Sequence, residues 1–434
     1  MPCSIIDYNS SGDWQYFRDW LFKRFEKDHS IDQKVRDIIN YVREHGDQAL
    51  IEYTRQFDCP EFKSSFIKVD PSRLEQAANN LDPEETNLIR EAIQNIQDFH
   101  KRQLEDSWIS TRNKDLVVGQ LVKPVSSAGL YVPGGKSGET PLVSSLIMNA
   151  VPALVAGVDN INVVTPPGTD GDINPYTLAT AYLLGLENFY AVGGAWAISA
   201  LAQGTETIPQ VDMISGPGNI FVTTAKKIVS EFVGIDMLAG PSEILVLADN
   251  TANPEWIAAD LLSQAEHDEL ASALLITPDK DLTEQVKTCL NEQLQELPRK
   301  EIAAQSLKDW GGIIRVPDLK AGIDLVNKVA PEHLELALSD PWGHLESIQN
   351  AGAIFMGHFC PESVGDYFAG PNHILPTLST ARFSSALGVQ DFCKKSSFIY
   401  SNFEYIQDQG NKIAKLARLE GLEAHARSTL KRKG

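Results

Sequence analysis

Disulfide chemistry has little to work with in this sequence. The five cysteines (Cys3, Cys59, Cys289, Cys360 and Cys393) are scattered through 434 residues and form no C-x-x-C pair. They suit a reducing cytoplasm. Long apolar runs are also missing. Residues 142–158 come closest, but Ser144, Ser145, Asn149 and Pro152 interrupt them, so they read as a buried helix and not as a membrane span. The opening Met1-Pro2-Cys3-Ser4-Ile5-Ile6-Asp7 has no basic region followed by an apolar one, so no signal peptide is expected. Positive charge is scarce as well: 38 Lys and Arg face 58 Asp and Glu, for a formal net charge of -20. Such a surface repels DNA, RNA and anionic membranes, but not a small cationic substrate.

What is there is a globular composition, 43% hydrophobic and 22% charged, in a chain long enough for two or more domains. Residues 31–57 and 82–104 have helical apolar spacing, and Asp82-Pro83-Glu84-Glu85 is a helix start. From Leu116 short β-branched runs alternate with helical segments. Strands are predicted at 160–165, 189–192 and 211–214, with helices at 175–186, 195–202 and 219–232. A second series has strands at 243–248, 273–277, 312–316 and 352–356, with helices at 254–267, 281–297 and 319–329. This alternation predicts two α/β parallel-sheet units preceded by helices. From about Phe398 the chain reads as a polar helical tail, with so little core of its own that it should pack on a partner. In such folds ligands bind beyond the carboxyl ends of the strands.

Two glycine loops invite nucleotide readings. Residues 129–137 end in Gly-Gly-Lys-Ser, but Leu130 stands where a phosphate loop needs glycine, which excludes a nucleoside triphosphatase. Gly216-Pro217-Gly218-Asn219-Ile220-Phe221 follows a strand and opens a helix, yet Pro217 lacks an amide donor and Phe221 replaces the third glycine. A dinucleotide's pyrophosphate can lie on that helix start; a plain strand–helix turn fits equally.

The polar motifs are each open to two readings. Gln264 and His267, spaced i, i+3 on a last helical turn, are either half a metal site or a solvated helix end. Pro331-Glu332-His333 sets a carboxylate beside an imidazole at a predicted helix start. Adjacent helical residues diverge by roughly 100°, so two separate acid–base roles fit better than a mutually oriented pair. A carboxylate facing the helix dipole and a surface histidine is the plainer alternative. Residues 362–373 are dense in Gly, Asp, Asn and His; Asp366 and His373 there are either ligands or turn formers. Cys360 is a nucleophile or a buried thiol. Glu420 and His425 fall on the tail.

Together, in order, Ala128 to Gly135, Ser215-Gly216-Pro217-Gly218-Asn219, Ala239-Gly240-Pro241-Ser242-Glu243, Ser263-Gln264-Ala265-Glu266-His267, Pro331-Glu332-His333 and Glu362 to Pro376 resemble the histidinol dehydrogenase family. The resemblance runs from the N-terminal helices to the tail. It implies a cytoplasmic homodimer, dependent on Zn²⁺ (one per subunit) and NAD, that oxidises L-histidinol through L-histidinal to L-histidine.

By that similarity Gln264, His267, Asp366 and His425 hold the zinc, with His425 and Glu420 reaching across the dimer. Glu332 and His333 are the catalytic pair. Ser242, Gln264, His267, His333, Asp366, Glu420 and His425 bind substrate, and Tyr131, Trp196 and Asn219 contact NAD. The implied division is an N-terminal helical segment 1–29, a discontinuous zinc and substrate domain (30–130 with 244–387), an inserted NAD-side domain 131–243, both Rossmann-like, and a dimerisation tail 388–434. Two places depart from the family pattern. Trp196 stands where the family has a glutamine, and residues 136–141 are unusual. Competing expectations are a related dehydrogenase for another small alcohol such as a sulfonated propanediol, and a non-catalytic metal-binding protein on the same scaffold.

Overall fold

The computed structural model describes residues 3–9, 11–25, 29–135 and 140–433. Residues 136–139 of the unusual loop lie outside them. In chain order the strands are β1 (Ser4–Asp7), β2 (Trp108–Asn113), β3 (Leu116–Pro124), β4 (Ser127–Tyr131), β5 (Asn160–Val164), β6 (Asn188–Tyr190) and β7 (Met213–Ser215). They continue as β8 (Gly234–Ile235), β9 (Glu243–Ala248), β10 (Ser272–Thr277), β11 (Gly312–Arg315), β12 (His333–Ala337), β13 (Ala353–Met356) and β14 (Cys393–Ser401). Two parallel sheets carry the fold, as the alternation predicts: a six-stranded sheet in the order β1-β11-β10-β9-β12-β13, and a five-stranded one in the order β6-β5-β4-β7-β8. The central strands β9 and β10 are buried at every residue, which is why they read as continuous apolar runs and not as alternating ones.

Asx caps set many helix starts. Asp82 Oδ1 accepts the Glu84 amide ahead of Pro83, and Asn253 does the same for Glu255 ahead of Pro254. The Val143–Ala156 helix is buried from Ser145 to Ala153, as its apolar run implies, and ends at left-handed Gly157. Among the described residues no helix is long and apolar enough to cross a membrane, and all five cysteines are free.

Two readings are corrected, and two elements are added. Residues 4–7 form a strand on the edge of the six-stranded sheet, paired with β11, ahead of the first helix. The helices of the first hundred residues pack into the core of the five-stranded sheet: Val35, Leu50, Leu74 and Ile96 share one buried cluster with Leu130, Val163 and Ile214. The sequence reading had joined residues 30–130 to the other unit. The tail from about Phe398 is mostly helical, as expected. β14 runs to Ser401 in an antiparallel sheet, order β14-β3-β2, before the helices Phe403–Leu419 and Glu423–Leu430. A helix over Lys300–Trp310 had no counterpart in the reading.

Candidate active site

The predicted helix start at Glu332 is a strand start. The Leu319–Val329 helix ends at Ala330 in the left-handed conformation (φ 51°), and Pro331 sends the chain into β12. Glu332 and His333 thus stand at the amino end of a strand, not beyond a carboxyl end. Parallel pairing sets His333 against Ile244 of β9 and Ala353 of β13. One residue of β9 holds both side chains: the Glu243 amide donates to Glu332 Oε2 (2.8 Å), and the Glu243 carbonyl lies 3.0 Å from His333 Nδ1. A carbonyl can only accept, so Nδ1 carries the hydrogen and Nε2 keeps its lone pair. The Glu243 carboxylate is itself fixed by a buried ion pair with Arg24.

His333 Nε2 is buried with no hydrogen-bond partner among the described residues. It faces Glu362 Oε1 at 3.5 Å and Asp366 Oδ1 at 3.9 Å. Burial lowers the imidazole to about 3, so these carboxylates see a neutral ring at neutral pH and the contacts are not ion pairs. Glu362 and Asp366 come from the Glu362–Tyr367 helix, where a loop had been expected; burial raises them to about 8 and about 6. Burial, with the Glu243 charge adding, also pushes Glu332 well above the usual carboxylate range. Behind them Glu335 Oε1 accepts the Glu362 amide (2.9 Å).

Gln264 is completely buried in the last turn of the Pro254–Ala265 helix, and His267 lies just past that helix's end. With its oxygen accepting from His267 Nδ1 (3.1 Å), the Gln264 amide nitrogen donates to Glu362 Oε1 (3.1 Å). Burial lowers His267, keeping it neutral. His373 donates from Nδ1 to the Asp366 carbonyl (3.1 Å). Gln264, His267, His333, Glu362, Asp366 and His373 therefore converge from three separate segments. Ligand atoms of His333, Glu362 and Asp366 lie within 4.8 Å of one another, a group able to hold a metal ion. Ser242 is half-buried, immediately before Glu243. Glu420, at the turn after the Phe403–Leu419 helix, and His425, on the Glu423–Leu430 helix, are exposed. Glu362 and Glu243 escaped the sequence reading; neither belongs to a spaced pattern, and only the tertiary fold brings them in.

The other sheet presents its carboxyl ends. Tyr131 closes β4, and its hydroxyl accepts the Gly194 amide (3.3 Å) at the turn after β6; burial raises it to about 12. Asn219 caps the Ile220–Val229 helix, its side-chain oxygen accepting from the Phe221 and Val222 amides. Trp196, expected at the cofactor, packs against the Asp47–Phe57 helix. Its indole donates to Thr54 Oγ1 (3.3 Å) and stacks on Tyr53 and Phe57, leaving it 7% exposed. It is a core residue between two helices.

Residues 22–433 match the family model for histidinol dehydrogenase. The chain is 56% identical to a histidinol dehydrogenase of Oleidesulfovibrio alaskensis across 99% of each chain. It is 52% identical to one of Bacillus subtilis across 91% of each. A crystal structure of histidinol dehydrogenase from Elizabethkingia anophelis superposes with a TM-score of 0.91 at 38% identity, covering 99% of this chain and 98% of that one. With this agreement over its length, the chain belongs to the histidinol dehydrogenase family.

Proposed function

We propose that this chain oxidises L-histidinol through L-histidinal to L-histidine with two NAD, at a zinc site completed by a second copy of the chain. Family membership makes it an NAD-dependent oxidoreductase of the last steps of histidine biosynthesis. The observation that carries the finer reading is the buried, unpartnered His333 Nε2, a neutral base aimed at a pocket of carboxylates.

The donors fit the absent groups. Gln264, His267 and Asp366 offer oxygen and neutral nitrogen, which suits Zn²⁺, and the buried carboxylates around them need a cation to stay ionised. His425 of a second copy is our fourth ligand. Tyr131, Asn219 and the 216–219 loop are the candidates for NAD. When bound, NAD takes up the hydrides and Zn²⁺ fixes the substrate. In the first oxidation His333 Nε2 accepts the carbinol hydroxyl proton while Glu243 holds the opposite face of the ring. In the second, Glu332 takes a proton from the water that adds to the aldehyde, and His333 takes one from the resulting hydrate. Ser242 and Glu420 then bind the substrate, Glu420 meeting its ammonium.

The tail supports the dimer. Leu416, Leu419 and Leu422, next to Glu420 and His425, are exposed, as are Ile399, Tyr400 and Phe403, a surface apolar enough to need a partner. A sulfonate substrate is not favoured, because the side chains gathered at this site are acidic, amide or imidazole. A cytoplasmic location goes with five unpaired thiols. The test is NADH formation: two NADH per histidine, lost on chelation and restored by Zn²⁺. Metal-loaded protein that binds histidinol and forms no NADH overturns the reading.

A further inference from the structure

The two sheets are joined by residues 236–242, which run from the carboxyl end of β8 to the amino end of β9. A buried ion pair that no step of the reaction uses anchors the start of this connector. Lys226, 2% exposed, pairs with Asp236, whose side chain is wholly shielded. Lys226 Nζ also donates to the Gly216 carbonyl (2.8 Å), and Asp236 Oδ2 accepts the Gly216 amide (2.8 Å). Both backbone polar groups of Gly216 are thereby committed. Only glycine serves there: φ is +116°, and a Cβ would lie 2.0 Å from the Tyr131 carbonyl oxygen. Thr223 Oγ1 donates to the Ala239 carbonyl (3.1 Å) and lies 3.4 Å from that of Gly218. Farther along, the Gly240 amide donates to Thr377 Oγ1 (2.6 Å), and the connector ends at Glu243, which holds Glu332 and His333.

A buried ion pair is weak evidence for stability, since apolar side chains of the same volume often do as well. What apolar side chains cannot do is hold a glycine backbone by both its amide and its carbonyl. We propose that Lys226 and Asp236 are positioning residues for the cofactor. They lock Gly216 so that the loop and the helix start behind it present fixed donors. They also set the spacing between that loop and the strand carrying the catalytic pair. Neither touches the cofactor or the reacting atoms. The inference rests on the reading that NAD lies on the 216–219 loop.

The test uses the zinc-loaded full-length enzyme. Lys226→Met alone would strand a buried carboxylate, so the main variant is Lys226→Met with Asp236→Asn, which removes both charges and keeps the volume. Asp236→Glu alone, which keeps both charges and displaces the carboxylate by one methylene, is the milder second variant. Both should raise the KM for NAD, about tenfold in the double variant, with a smaller fall in kcat and an unchanged Kd for histidinol measured without NAD. A folded variant whose KM for NAD stays within twofold of wild type overturns the positioning role, as does an equal weakening of both substrates. Hydrogen exchange of the wild type with and without NAD separates this from failure of the underlying reading. Missing protection at residues 216–222 would remove the cofactor from the loop, and the proposal with it. Protection there together with an unchanged KM in the variants would remove only the role of the pair.

Discussion

His333 hangs from the backbone of Glu243, its Nδ1 3.0 Å from that residue's carbonyl oxygen. Because the acceptor is a main-chain atom at the start of a central strand, neither the tautomer nor the ring plane depends on a mobile side chain. Nε2 is left as the free base.

His333→Asn keeps a donor for Glu243 and removes the base. The expected result is a fall in kcat of about 10²–10⁴, with histidinol affinity by calorimetry changed only a few-fold. Unaltered turnover would take His333 out of the chemistry.

If His425 crosses the dimer, each site draws Asp366 from one chain and His425 from the other. Asp366→Asn and His425→Gln should each be inactive alone. Mixed and allowed to exchange, half the dimers become hybrids with one intact site of two, returning about a quarter of wild-type activity. No recovery on mixing, with hybrids verified by mass, would place both residues in the same subunit's site.

Trp196→Gln should act on stability more than on the cofactor. Emptying the stack between Tyr53 and Phe57 costs about 3 kcal/mol or more, while the KM for NAD changes little. A large KM effect at unchanged melting temperature would return Trp196 to the cofactor site.

Asp58 offers a pH test away from the active centre. It sits at the carboxyl end of the Asp47–Phe57 helix with Oδ2 buried and unpartnered, and burial raises it to about 6. A folded pKa above the unfolded one means its contribution is fully present below about pH 4 and is lost as pH rises through 6. Asp58→Asn should therefore raise the melting temperature by about 2 °C at pH 8 and leave it unchanged at pH 3.5. Equal shifts at both values would refute the assignment.

Periodicity made the two parallel sheets legible, because strands buried on both faces and amphipathic helices leave strong local patterns. What it could not reach was whatever depends on distant partners. β14 is largely exposed and lacks an apolar signature; its pairing with β3 defines it. Pro331-Glu332 imitates a helix start, and the left-handed Ala330 that overrides it is invisible in a residue with no tendency to that conformation. In the site, Gln264, His267, Asp366 and the Glu332–His333 pair were legible as motifs. Glu243 and Glu362 act through a backbone bond and a neighbouring turn, which no spacing encodes.

The strand arrangement has a consequence for how the protein is made. All five strands of the five-stranded sheet fall within residues 127–235, so that sheet can close while the rest of the chain is still on the ribosome. β1 emerges first yet has to wait for β11: Asp7 and its partner Arg315 are separated by 308 residues. The nascent protein therefore carries an unpaired edge at its leading end through most of synthesis. Four residues bounded by Asp7 make that edge too short and too charged to recruit another chain in the meantime.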